Sequence, residues 1–69
     1  PVPRRTMKKG AKGDDVRWLQ WELADRGYSC AVDGSFGPAT LAAVKAYQQD
    51  RGLAVDGSVG PKTRAELQK

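Results

Sequence analysis

Apolar residues recur at helical spacing near the start of the chain. Val16, Leu19 and Leu23 follow the i, i+3, i+7 pattern that places side chains on one face of a helix. Gly27 comes next, and glycine favours the left-handed conformation that commonly ends a helix. The pattern therefore predicts a first helix over residues 14–26 with this face buried.

Two further helices are predicted to begin at prolines. Pro38 and Pro61 each follow a glycine. Proline suits the first helical position because its φ is preset and its missing N–H is not needed there. The predicted segments are residues 38–51 and 61–68. The inward face of the first of them comprises Thr40, Ala43, Val44 and Tyr47. These segments predict an all-α fold, a small three-helix bundle.

The segments that lead into these two helices are near-identical copies. Residues 31–40 read AVDGSFGPAT and residues 54–63 read AVDGSVGPKT, so eight of ten positions match. Such duplication indicates one structural unit used twice. Asp33 and Asp56 each precede a glycine, a dipeptide that favours a turn closed by hydrogen bonds to the carboxylate.

Neighbouring side chains are predicted to hold these duplicated Asp-Gly loops against the helices. We expect Val32 and Val55 to anchor the loops to the core from one side. Phe36 and Val59 are expected to anchor them from the other side. Gln20 is the polar member of the first helix's apolar face, so its amide is expected to bond loop backbone.

The cysteine and histidine counts exclude several kinds of chemistry. Cys30 is the single cysteine and there is no histidine, so the chain can form neither an internal disulfide nor a Cys-His zinc site. Nucleophile pairs of the Ser-His and Cys-His type are excluded for the same reason. We interpret Cys30 as a small buried apolar residue, with a reactive thiol or an intermolecular bridge as the alternative.

Calcium is the remaining metal to consider, because duplicated acidic loops of similar period occur in calcium-binding modules such as dockerins. A calcium loop needs oxygen ligands at alternating positions and a carboxylate further along. After Asp33 the loop continues Gly-Ser-Phe-Gly-Pro without a second acid. We therefore expect neither a metal nor a cofactor.

Positive charge is concentrated at the start of the chain. The formal net charge is +4, yet residues 1–13 carry five Lys or Arg and no acid, and the remainder has a net charge of −1. We divide the chain into a basic lead or linker, residues 1–8, and a folded domain, residues 9–69. A nucleic-acid reader would carry its charge on the folded body, so no nucleic-acid partner is expected. No apolar run is long enough for a membrane span.

These motifs, in this order, resemble the peptidoglycan-binding domain family of bacterial cell-wall hydrolases, including phage endolysins. The resemblance covers residues 9–68. The segments that carry it are Gly10-Ala11-Lys12-Gly13-Asp14-Asp15-Val16, Leu19-Gln20 with Leu23, Gly27-Tyr28, the two duplicated loops, Ala43-Val44-Lys45, Tyr47-Gln48 and Gly52-Leu53. It implies a three-helix module that targets an attached catalytic domain, such as a lysozyme, amidase or peptidase, to wall polymer. The implied location is extracellular, at the bacterial cell wall.

Two tryptophans are the leading candidates for ligand contact. Trp18 and Trp21 lie opposite the predicted core on a helical wheel, and exposed indoles usually meet a partner. They would stack on glycan or stem peptide, or alternatively pack on the lead or a neighbouring domain. Arg17 and Arg51 are candidates to pair with ligand carboxylates. The candidate set is completed by Tyr28 and Tyr47, which are expected mainly in the core with hydroxyls near a groove.

The sequence thus predicts a monomeric, non-catalytic module that binds the glycan or stem peptide of peptidoglycan and is covalently linked to a hydrolase. The alternative is a protein-interaction module, or one that docks within its own parent enzyme. The basic lead is predicted to add a minor attraction to anionic wall polymers. Since the sequence starts at Pro1 instead of Met, we expect a piece of a longer protein.

Overall fold

The computed structural model describes residues 5–69, which form three helices joined by loops. The helices are α1 (Asp14–Asp25), α2 (Pro38–Asp50) and α3 (Pro61–Leu67). Extended pairing among residues 5–69 is limited to two isolated antiparallel bridges, Met7 with Val59 and Lys12 with Ser35. The all-α prediction is confirmed, and each helix ends one residue earlier than predicted.

The core is built from all three helices and both duplicated loops. Its buried apolar members are Met7, Val16, Leu19, Leu23, Phe36, Ala43, Val44, Tyr47, Val59 and Leu67. Phe36 and Val59 anchor the loops as predicted. The same expectation is wrong for Val32 and Val55, which are 42% and 50% exposed. The loops face the helices with backbone groups that hydrogen-bond to glutamines, so these two valines project outward.

The segment before α1 belongs to the folded body from Met7 onward. Met7 is fully buried, and its backbone exchanges two hydrogen bonds with Val59, at 3.1 and 2.7 Å between N and O. The sequence predicts Met7 in the lead, whereas the structure places it in the core. No sequence pattern indicates the burial of Met7, because a single methionine among polar residues shows no periodicity. Residues 1–4 of the predicted lead lie outside the described residues.

The same segment also pairs with the first loop. Gly10 N donates to Phe36 O at 3.0 Å, and Phe36 N donates to Ala11 O at 2.9 Å. Gly13 N donates to Gly34 O at 2.9 Å. Residues 7–13 therefore span both duplicated loops, joining the second loop at one end and the first loop at the other.

Gln20 holds the first loop from inside the protein. Its side chain is fully buried, and its Nε2 lies 3.0 Å from each of three acceptors: Asp33 Oδ1, Ser35 O and Thr40 Oγ1. Its Oε1 accepts from Asp33 N at 3.0 Å and from Gly34 N at 2.8 Å. The prediction that this amide bonds loop backbone is confirmed.

Gln48 holds the second loop by four contacts that each have a counterpart at Gln20, a role that the sequence analysis did not assign. Its Nε2 donates to Asp56 Oδ1 at 3.0 Å and to Ser58 O at 2.8 Å. Thr63 Oγ1 lies 3.3 Å from the same nitrogen, and Gly57 N donates to Oε1 at 3.1 Å. Each loop is therefore hydrogen-bonded to a buried primary amide of its own.

The two glutamines occupy different positions along their helices because the connections differ in length. Five residues, 28–32, separate the first helix-ending glycine from the loop aspartate, whereas three residues, 53–55, do so in the second copy. Two extra residues add about 7 Å of extended chain. Gln20 lies three residues further from its helix-ending glycine than Gln48, about 4.5 Å along the helix axis. The longer connection therefore allows the first loop to reach Gln20, which lies further from the end of its helix than Gln48 does.

The loop aspartates close their turns as predicted. Ser35 N donates to Asp33 Oδ1 at 3.0 Å, and Ser58 N donates to Asp56 Oδ1 at 2.9 Å. The bond from Ser35, and then the Gln20 amide, lower the pKa of Asp33. The equivalent bonds lower the pKa of Asp56. Both turns therefore favour the ionised carboxylate.

Replacing either glutamine with leucine should destabilise the domain strongly. Leucine keeps most of the volume but leaves buried loop N–H and C=O groups without partners, at a cost of about 3 kcal/mol in the free energy of unfolding. Urea denaturation of Gln20→Leu and Gln48→Leu measures this cost. Gln49→Leu, at an exposed site next to Gln48, is the matched control and should change stability by less than about 0.5 kcal/mol. Equal losses at positions 48 and 49 would refute the role assigned to the amides.

Acid should weaken the fold through the two loop aspartates. Their pKa values are lower in the folded state than the ordinary value of 3.8, so the unfolded chain binds more protons as pH falls. Stability should be constant near neutrality and decline from about pH 5 downward through the folded pKa values. Thermal melts across this range should show a shallower decline for the Asp33→Asn/Asp56→Asn variant. Asp25→Asn, at an exposed helical site, should follow the wild-type curve, and a similar flattening there would contradict the assignment.

Candidate functional site

The six residues predicted to contact ligand do not form one site. Three of them line a groove beside α1, which we call the tryptophan groove. Its volume is about 490 Å³, and its lining residues are Asp14, Asp15, Arg17, Trp18, Trp21 and Val32. The other three, Tyr28, Tyr47 and Arg51, line a different depression.

The tryptophan groove presents an apolar surface to solvent. Trp21 is 57% exposed, and Val32 from the first loop is 42% exposed. Trp18 is half-buried and packs against the edge of the core. Trp21 therefore points outward as expected, whereas Trp18 does so only in part. A helical wheel predicts the direction of the Cα–Cβ bond, and the long indole of Trp18 extends from there to the edge of the core.

Charged groups flank this apolar surface. Arg17 is exposed and lies over the first loop, so that a Cβ at Gly34 would lie 3.5 Å from its Nη2. Among residues 5–69 Arg17 forms no ion pair. Asp15 is already engaged, because a hydrogen bond from Arg5 Nε holds its pKa below the ordinary value. Asp14, at the start of α1, is exposed.

The depression at Tyr28, Tyr47 and Arg51, the tyrosine pocket, is smaller and internally paired. Its volume is about 260 Å³, and it also includes Arg26, Glu66 and Lys69. The two tyrosine rings meet edge to face, with centroids 5.3 Å apart. Tyr47 is 2% exposed and belongs to the core, as expected. The Tyr28 hydroxyl donates to Asp50 Oδ2 at 2.6 Å, which raises the pKa of Tyr28.

Arg51 is not free to meet a ligand carboxylate in this arrangement. Its Nε and Nη2 donate to Glu66 Oε1 at 3.1 and 3.0 Å, and Lys69 Nζ lies 2.9 Å from Glu66 Oε2. These two cations, Lys69 first, lower the pKa of Glu66. The charged groups of the tyrosine pocket are therefore already paired, whereas Arg17 in the tryptophan groove forms no ion pair within residues 5–69.

A third groove was missed by the sequence analysis. It has a volume of about 640 Å³ and is lined by Thr6, Gly52, Leu53, Ala54, Asp56, Ser58, Gly60, Pro61, Lys62 and Thr63. The duplicated loop marks most of these positions in the sequence. The groove itself depends on residue 6 folding back beside α3, which no local pattern indicates.

The described residues offer little for metal or thiol chemistry. Residues 5–69 contain no cluster of three or more His, Cys, Asp or Glu side chains suited to a metal ion. Cys30 is half-buried, and burial raises the pKa of its thiol, which disfavours the reactive thiolate. None of the helices in this part of the chain has the length and apolar character needed to cross a membrane.

Several known proteins are similar to this chain in sequence and in fold. The family model described as a putative peptidoglycan binding domain matches residues 12–67. The zinc D-Ala-D-Ala carboxypeptidase of Streptomyces albus G is 48% identical over 52 residues, covering 71% of this chain and 20% of that enzyme. The chain thus spans about a fifth of that relative's length.

Two crystal structures extend the comparison. The SleB N-terminal domain superposes with a TM-score of 0.92 at 40% identity, covering 97% of this chain and 93% of that one. The Burkholderia AP3 phage endolysin superposes with a TM-score of 0.89 at 41% identity, covering 91% of this chain and 24% of that one. With the match over residues 12–67, these similarities show that the chain belongs to the peptidoglycan-binding domain family, a domain that is found in cell-wall hydrolases.

Proposed function

We propose that the tryptophan groove is the surface through which this domain binds peptidoglycan, without catalysis of its own. The main support is the exposed apolar surface made by Trp21 and Val32. A chain of 69 residues has few large apolar side chains, and leaving these two in water forgoes burial that would stabilise the fold. Together with Trp18, this exposed apolar surface supports a binding role for the groove.

The chemistry of the groove suits both parts of peptidoglycan. A sugar ring presents C–H groups that pack flat on an indole, while its hydroxyls bond to neighbouring polar groups. Stem peptides carry carboxylates and amines. Arg17 can receive a carboxylate in a two-point contact, and Asp14 can receive an amine. The proposed ligand would therefore lie over Trp21, with its charged groups reaching along the same face of α1 to Arg17 and Asp14.

The carboxylates of the groove are poorly placed for glycoside hydrolysis. That reaction needs two carboxyl groups on opposite sides of the scissile bond. Asp14 and Asp15 are consecutive residues of α1, and Asp15 is held by Arg5. The module would instead contribute by tethering: an attached hydrolase on a repeating polymer gains effective concentration even when each contact is weak. We place this action at the bacterial cell wall.

Truncating the exposed indole should reduce wall binding. Trp21→Ala removes the largest exposed apolar side chain, so the dissociation constant for purified insoluble peptidoglycan should rise about tenfold, equivalent to about 1.4 kcal/mol. Trp18→Ala tests the half-buried neighbour, with unfolding curves to separate lost binding from lost stability. Co-sedimentation over a range of peptidoglycan concentrations provides the measurement.

The duplicated loops supply a matched control for this experiment. Val32 and Val55 occupy equivalent repeat positions and are similarly exposed, but Val32 lines the tryptophan groove and Val55 does not. Val32→Ala should weaken binding about twofold to threefold, whereas Val55→Ala should not. If wild-type domain fails to sediment, or Trp21→Ala sediments like wild type, this groove does not bind peptidoglycan. The docking alternative would then be favoured.

A further inference from the structure

We propose a second binding surface, the cationic edge, formed by Arg5, Lys8, Lys9 and Lys12. Its ligand is a linear polymer with a phosphodiester in each repeat, of the polyol-phosphate type, carried by the same wall. The edge surrounds a depression of about 540 Å³ whose other lining residues are Thr6, Gly10 and Ala11. This surface is distinct from the tryptophan groove and adds a ligand to the proposed function.

The backbone that carries these cations is fixed. Ala11 N donates to Lys8 O at 3.0 Å, which closes a turn that contains Lys9. On one side of the turn Met7 is buried and paired with Val59; on the other, Ala11 O accepts from Phe36 N. A ligand would therefore meet charges on an ordered backbone, and binding would lose less chain entropy than binding to a flexible basic tail.

The lysines of the edge are not paired with an acidic side chain in the part of the chain that the structure describes. Lys8, Lys9 and Lys12 are exposed and form no ion pair within residues 5–69. Elsewhere, cations such as Arg51 and Lys69 are neutralised by Glu66. Arg17, Lys45 and Lys62 likewise form no ion pair among residues 5–69, but they are scattered along the sequence, whereas the edge gathers three such lysines within positions 8–12. The natural complement of this local positive charge is a polyanion.

The surroundings of the edge favour a phosphate polymer over a nucleic acid or a lipid surface. Lysine is a compact point charge that suits phosphate oxygens. Residues 5–12 include no aromatic side chain on which nucleic-acid bases would stack. Met7 is buried and Ala11 is half-buried, so the edge has no large apolar side chain to insert into a lipid surface. A chain of phosphodiesters without bases or acyl tails fits these features.

The cationic edge borders the tryptophan groove. Arg5 connects them, because its Nε donates to Asp15 Oδ2 in the groove while its Nη2 donates to Lys12 O at 3.2 Å in the edge. A phosphate polymer attached to peptidoglycan would lie close to the strand that carries it. The two surfaces can therefore engage one wall fragment together, which raises the affinity beyond that of either contact alone.

Charge substitution tests the edge without disturbing the core. The Lys8→Gln/Lys9→Gln/Lys12→Gln variant keeps Met7 in place, which a deletion of the lead would not. Isothermal titration with soluble poly(glycerol phosphate) should show binding by wild type that weakens as salt rises. The variant should bind at least about tenfold more weakly, with a salt slope lower by about one for each lost phosphate contact. Its urea midpoint should match wild type.

A control variant that loses the same charge at other positions distinguishes an effect of this edge on binding from an effect of net charge. Lys45→Gln/Lys62→Gln/Lys69→Gln removes three cations located elsewhere and should bind the polymer like wild type. Equal weakening of the two triple variants would overturn the proposal. So would single-stranded DNA, or vesicles of anionic lipid, competing as well as the polymer at equal phosphate concentration.

Comparing sedimentation with walls that carry the phosphate polymer and walls that lack it distinguishes a failure of this inference from a failure of the proposed function. Aqueous hydrofluoric acid cleaves phosphodiesters and leaves peptidoglycan, so one batch of walls gives both substrates. Wild type should sediment better with untreated walls, and the edge variant should bind both equally. Trp21→Ala should lose affinity for both. Equal wild-type binding to the two substrates refutes the cationic edge alone, whereas no binding to stripped walls refutes the groove.

Discussion

Two buried glutamine amides determine the shape of this domain. Gln20 and Gln48 each hydrogen-bond to backbone donors and acceptors of one Asp-Gly loop from the core side. A chain of this length buries a small core and has a single cysteine, so it has few other ways to order its loops. A buried amide is stabilising when all of its bonds are made and costly when they are not. The loops therefore adopt one geometry, and the outward placement of Val32 follows from it.

The segment before α1 gives the second constraint. Residues 7–13 pair with both duplicated loops, so they link the two copies directly. This pairing buries Met7 and aligns the lysines that follow it. Stability and surface charge are therefore coupled in one short stretch, and a deletion there would change both.

The two proposed binding surfaces occupy parts of the fold that the core leaves open. The tryptophan groove uses the outer face of α1 and the first loop, while the cationic edge uses the segment that precedes α1. The Arg5–Asp15 ion pair lies between them. Both surfaces rest on rigid backbone, which limits the entropy lost on binding and suits a module that meets a repeating polymer through several weak contacts.

Helix starts, turns and the family match came from the sequence by itself, because Gly-Pro steps, Asp-Gly turns and helical periodicity act over a few neighbouring residues. The sequence also indicated that Gln20 must find partners. It did not reveal the equivalent role of Gln48, because Gln20 lies seven residues after the glycine that precedes α1, whereas Gln48 lies eleven residues after the glycine that precedes α2. Tertiary structure decided that role, the burial of Met7, and the separation of Arg51 from Arg17. Each depends on groups far apart in the chain, whose contact follows from how the helices and loops pack.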